Sequence, residues 1–164
     1  MKLKDLGEID TGIVLFGGPY SNLQATEAML DVIRQRGFSS ICTGDCVAYC
    51  ADPAATVAAL RSAGVHVVAG NCDKQLAVGA MTCGCGFEAG STCDVLSSGW
   101  FAHAHAHIGA TDRAWMAGLP DMSVFSQAGQ RFAVVHGGAT DVSRFLWPTS
   151  PDMDFKEEIE CIQM

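Results

Sequence analysis

Asp45, Asn71 and His136 stand behind short apolar runs, each beside glycine, and Asp73 follows Asn71 by two residues. The runs are Ile13-Val14-Leu15-Phe16 before Gly17-Gly18-Pro19-Tyr20, Ile41-Cys42-Thr43 before Gly44-Asp45, Val65-His66-Val67-Val68-Ala69 before Gly70-Asn71-Cys72-Asp73, and Phe132-Ala133-Val134-Val135 before His136-Gly137-Gly138. A carboxylate offers a cation two oxygens, an amide one neutral oxygen and an imidazole a nitrogen. If the four runs are neighbouring parallel strands, their turns share one carboxyl edge, where ligands bind in open α/β sheets. Asp45, Asn71 and His136 then meet although they lie far apart in sequence. The same residue types also serve without chemistry: Asp and Asn cap turns, and a buried histidine can bond a backbone carbonyl.

The elements that must position these residues follow from the spacing. Leu23, Thr26, Leu30 and Ile33 share one face of a helix over 22–36, with Ser21 as N-cap, Gln24 completing a capping box and Gly37 as the stop. A strand over about 40–43 precedes Asp52-Pro53, an N-cap and first helical position, and Gly64 ends that second helix before a strand at 65–69. Strand-helix-strand-helix-strand order predicts a parallel sheet with right-handed crossovers. Residues 79–93 read as a loop, and 95–108 as a helix carrying His103, His105 and His107. A further helix starts near Thr111 and stops at Pro120; the strand Phe132–Val135 then returns to the sheet. The acidic stretch after Pro148 predicts a short terminal helix with a solvated face, and Trp115 and Trp147 read as core.

Composition narrows the function. The 164 residues are 49% hydrophobic and 17% charged, with mean hydropathy +0.21, net charge −8 and pI about 4.9. One domain over 1–164 is expected. The acidic balance argues against a nucleic-acid scaffold partner, which needs a basic face. No apolar run is long enough to span a membrane and no signal peptide follows Met1-Lys2-Leu3-Lys4, so the expected location is cytoplasmic. The eight cysteines are then expected mostly as thiols or ligands, not disulfides.

The order and spacing of the glycine-bounded motifs resemble the calcineurin-like metallophosphoesterases, especially small bacterial phosphodiesterase-type members. Phe16 to Ala25 lies where that family has Asp-x-His-Gly-Asn-Leu; Thr43-Gly44-Asp45 matches Gly-Asp; Gly70-Asn71-Cys72-Asp73 matches Gly-Asn-His-Asp; His136-Gly137-Gly138 resembles a later His-Gly. The resemblance implies a metallophosphoesterase-type α/β sandwich with a mixed, largely parallel sheet flanked by helices. It also implies hydrolysis of phosphate mono- or diesters at one or two divalent metal ions (Mn, Fe or Zn). Asp45, Asn71 and His136 would be metal ligands, Cys72 and Asp73 would hold the catalytic positions, and Gly18, Tyr20, Asn22 and Cys46 would line the substrate pocket.

Three departures qualify this expectation. The family's first aspartate and histidine fall on Gly18 and Tyr20, its catalytic histidine falls on Cys72, and no Gly-His-x-His segment follows within these residues. A binding or regulatory protein that keeps the fold without catalysis is therefore a rival, as is a cysteine-based zinc or redox protein built on Cys72, Cys83, Cys85 and Cys93. The second sheet is expected to be incomplete, leaving an apolar face that a homo-oligomer would cover.

Overall fold

The computed structural model describes residues 1–162. Two three-stranded sheets carry the fold. β2 (Ile13–Phe16), β3 (Ser39–Cys42) and β4 (His66–Val67) are parallel, in the order β2-β3-β4. α1 (Leu23–Arg36) and α2 (Pro53–Ser62) form the two crossovers. The second sheet has the order β1-β5-β6, from β1 (Leu3–Glu8), β5 (Met122–Gln127) and β6 (Gln130–Val135). Here β1 runs parallel to β5 and β6 runs antiparallel to it. Ile41 and Val68 from one sheet region meet Phe125, Val134 and Ile9 from the other in a buried cluster, with Leu6 and Ile13 against it. The expected α/β class with mixed sheets and flanking helices is what the chain adopts.

One expectation needs correction, and one sheet was only partly read. The strand ending at Val135 does not extend the parallel sheet; it pairs only with β5, in the second sheet. β1 and β5, unread from the sequence, supply two of the second sheet's three strands. A shared apolar interior, rather than shared backbone hydrogen bonds, brings His136 over the ends of β3 and β4.

Helices α3 (Asn71–Ala77), α4 (Thr92–His107) and α5 (Ala110–Gly118) complete the other face. Cys42, Val57, Leu60, Val67, Leu76, Phe101 and Met116 pack there into the larger core. α1 begins one residue later than expected. Asn22, not Ser21, is its N-cap, with Oδ1 accepting from Ala25 N at 3.0 Å. Tyr20 N and Ser21 N donate to Asp45 O and Cys46 O, both at 3.0 Å, and both residues take positive φ, 49° and 60°. Held in that conformation, Ser21 has its hydroxyl buried without a protein partner. Asp52 occupies the N-cap of α2 but makes no side-chain cap bond; Pro53 starts the helix as expected.

The terminal helix, α6 (Asp152–Ile162), differs from a solvated acidic face; its last two expected residues, 163–164, lie outside those described. Glu158 is its buried residue. Its carboxylate accepts from Ala139 N, from Thr140 N at 3.1 Å and from Thr140 Oγ1 at 2.5 Å, and Arg144 Nη1 reaches it at 2.9 Å. Trp115 packs partly buried on the core, whereas Trp147 is 60% exposed and is not a core residue. Cys83 and Cys85 are joined by a disulfide, and the other six cysteines are free, in line with an expectation of mostly free thiols.

Candidate metal centre

Three of the expected ligands come together at the ends of β3, β4 and β6. Gly44, at φ 103°, turns the chain so that Asp45 points back across Gly70. Asp45 Oδ1 accepts from Cys72 N at 3.0 Å, which orients the carboxylate, and Oδ2 lies 3.6 Å from His136 Nε2. Asn71 opens α3, and its Oδ1 lies 3.2 Å from the same Nε2. Asp45 and Asn71 are buried, and His136 is largely so.

The backbone fixes which atoms face each other. His136 Nδ1 lies 2.7 Å from the carbonyl oxygen of Thr43. A carbonyl only accepts, so Nδ1 carries a proton and Nε2 of the neutral ring is a lone pair. Asn71 Nδ2 donates to Cys83 O at 2.9 Å and lies 3.2 Å from Cys85 Sγ, which turns Oδ1 toward His136. Two oxygens and a nitrogen lone pair therefore point at one another. A buried set of acceptors with no donor between them is unfavourable unless a cation or an added proton fills it. Carboxylate oxygen, amide oxygen and imidazole nitrogen suit a divalent ion of the manganese–iron–zinc kind. Among the described residues, no group of three His, Cys, Asp or Glu side chains gathers for a metal. Here two such residues are completed by an asparagine.

Electrostatics point the same way. Burial, and then the neighbouring Asp45 carboxylate, pushes the Asp73 carboxyl up to about 7. Burial also raises Asp45, opposed by His136 and by hydrogen bonding from Cys72. The Asp45 carboxylate faces the imidazole of His136 with the buried Asp73 carboxyl behind it, so positive charge placed between Asp45 and His136 would be favoured.

The other expected site residues fall elsewhere. Asp73 is fully buried and accepts from Asp45 N at 2.9 Å, and from Cys46 N and Gly70 N at 3.0 Å. It binds the β3 turn to the start of α3 and presents no free atom to a ligand. Cys72 has no exposed surface and packs in the core; burial, then Asp45 and Asp73, raise its thiol far out of the range where it ionises. Cys46 is likewise a fully buried core residue. Asn22 spends its oxygen on the α1 cap and lines a separate cavity of about 220 Å³ with Pro19 and Tyr20. The zinc reading also loses its basis, since Cys83 and Cys85 bond each other.

Tyr20 has a particular place. A side chain at Gly18 would collide with its ring, so the phenol covers the point from which the family's first aspartate would reach. The ring is edge-on to Tyr49 at 5.1 Å, and Tyr49 Oη lies 3.4 Å from Cys85 Sγ. Burial, then Asp45, raises the Tyr20 phenol, which stays protonated. Sequence reasoning missed the residues that hold the centre: Thr43 and Cys83 act through carbonyls, which no side-chain type announces. It also missed the 143–147 wall of a 340 Å³ cavity that runs from Gly18, Tyr20, Asn71 and His136 to Phe145 and Trp147.

A two-sheet α/β sandwich with ligand-type side chains at its strand ends is the architecture of a metallophosphoesterase. A metallophosphoesterase from Sphaerobacter thermophilus superposes with TM-score 0.60 at 21% identity, over 85% of this chain and 52% of that one. Hypothetical protein PH1004 from Pyrococcus horikoshii OT3 gives TM-score 0.67 at 14% identity, over 92% and 65%. A candidate diadenosine tetraphosphatase gives 0.58 at 19%, over 93% and 58%. The chain thus spans between 52% and 65% of the length of these structures. No curated protein matches it. The family model of the calcineurin-like phosphoesterase superfamily domain matches residues 13–155, and the chain belongs to that superfamily.

Proposed function

We propose that this chain binds one divalent cation through Asp45 Oδ2, Asn71 Oδ1 and His136 Nε2 and hydrolyses a phosphate ester beside it. The observation that carries the reading is the convergence of three acceptor atoms, each oriented by its own backbone hydrogen bond. When bound, a cation there would polarise a phosphoryl oxygen and withdraw charge from the ester. The chain's part is to hold the three donors, to fix the His136 tautomer through Thr43, and to admit the ester through the cavity that Asn71 and His136 line. Membership of a phosphoesterase superfamily supports the reaction class. One cation is favoured over two because Gly18 offers no ligand and the Tyr20 ring lies over it. That same observation favours a second reading, in which the site binds a cation and a phosphate without turnover.

Calorimetry with Mn²⁺, together with hydrolysis of bis(p-nitrophenyl) phosphate, tests both. One equivalent of Mn²⁺ bound, with binding and turnover abolished in Asp45→Asn, is the expected result. Stoichiometric binding without turnover under Mn²⁺, Fe²⁺ or Zn²⁺ establishes the second reading. Absence of cation binding removes both.

A further inference from the structure

The cavity that opens from Asn71 and His136 ends at an aromatic wall unlike the rest of its lining. Phe145 and Trp147 lie with ring planes 4° apart and centroids 5.9 Å apart. Both line the cavity, and both remain more than half exposed, 58% and 60%. Rings left that open contribute little to folding, yet the segment that carries them is not loose. Ser143 Oγ donates to Gly84 O at 2.8 Å. Trp147 N donates to Ser150 Oγ at 2.9 Å. Arg144 is gripped by Asp154, Glu157 and Glu158 at 3.1, 2.6 and 2.9 Å. The wall is a held, solvent-facing apolar surface of two stacked rings at one end of a cavity whose other end is the candidate cation site.

The charges specify what can enter. Arg144 is the one lysine or arginine in the lining, and three carboxylates already neutralise it. A phosphate here therefore finds its positive partner at the Asp45–Asn71–His136 end, not at the arginine. A ligand that satisfies both ends carries a phosphate on one side and a flat aromatic group on the other. A volume of 340 Å³ lies at the small end of ligand pockets, the scale of one nucleotide rather than two joined nucleosides.

We infer that the site takes a mononucleotide ester, with the phosphate at the cation and the base stacked on Trp147 and Phe145. This rests on the cation reading above and adds the substrate class. Stacking of a base on an aromatic side chain is sequence-tolerant, so either purine or pyrimidine nucleotides fit, purines better by area.

Binding of AMP and of ribose 5-phosphate is measured by calorimetry on the Mn²⁺-loaded protein and on the protein without metal. The expected result is AMP binding about tenfold tighter than ribose 5-phosphate, or about 1.4 kcal/mol, only with Mn²⁺. In Trp147→Ala the ratio should collapse to about twofold or less, and in Trp147→Phe most of it should return. An equal affinity for the two ligands in the unaltered protein overturns the inference, as does a ratio that survives Trp147→Ala. If Mn²⁺ binds but neither ligand does, the nucleotide site is wrong while the cation site stands. If Mn²⁺ itself does not bind, the cation reading fails and takes the inference with it.

Discussion

Gly70 has no room for a side chain: a Cβ there would run into the Asp45 carboxylate and backbone nitrogen. The glycine is what lets Asp45 lie flat across the start of α3 with Oδ1 on Cys72 N. Gly70→Ala is expected to cost about 2 kcal/mol, as overpacking of a close-fitted interior does, and to weaken Mn²⁺ binding because Asp45 must move. Gly99, inside α4 with open space around its Cα, is the control. There, alanine should stabilise by about 1 kcal/mol through helix propensity. Urea denaturation of both variants checks the opposite signs. Backbone strain is concentrated at the same place. Among the described residues, six non-glycine residues take positive φ; Asp45 belongs to the centre, Tyr20 lines its cavity and Tyr49 packs on Tyr20. Conformations that cost free energy persist where the surroundings over-determine them, commonly at functional sites.

Among the elements, α6 is held in an unusual way. Its buried anchor is Glu158, while Met153 and Ile159 face solvent. Burial alone would raise this carboxyl, but hydrogen bonds from Thr140 and Ala139 and the charge of Arg144 outweigh it and hold Glu158 below the ordinary glutamate value. A depressed folded value gives stability that is present above the free-glutamate value, about 4.3, and lost as pH falls through the folded one. Glu158→Gln should cost about 2 kcal/mol at pH 7, the scale of charged hydrogen bonds lost. Denaturation midpoints should show the gap to the parent closing below about pH 4. Much of the rest was legible in sequence. The apolar spacing from Leu23 to Ile33 and the stop at Gly37 fix α1, and the crossover order gives β2-β3-β4. The β5–β6 hairpin was hidden because its two-residue turn puts Ala128, at φ 50°, where Asn or Gly is the usual signal. The convergence of Asp45, Asn71 and His136 was readable from motif order, but the carbonyls of Thr43 and Cys83 that orient two of these side chains were not. Trp147 was misread because apolarity alone does not say whether a ring faces the core or a cavity.

Over the whole molecule, several large apolar side chains stay exposed outside the two cores. Met153, Phe155 and Ile159 on α6 and Phe132 on β6 are exposed. Exposed clusters of this kind commonly mark protein interfaces. We propose that the chain self-associates through these residues. Light scattering at micromolar concentration should give a mass above 17.3 kDa, reduced toward it by Ile159→Glu; a monomeric parent removes the proposal. No described helix is long and apolar enough to cross a membrane.

The ring of Tyr20 resting on the Cα of Gly18 ties the histories of these two positions together. An aspartate arriving at 18 meets an occupied volume, and a smaller residue arriving at 20 leaves a hole above a bare glycine. Each single step toward a two-cation centre is thus a step downhill in stability, and only the pair leads upward.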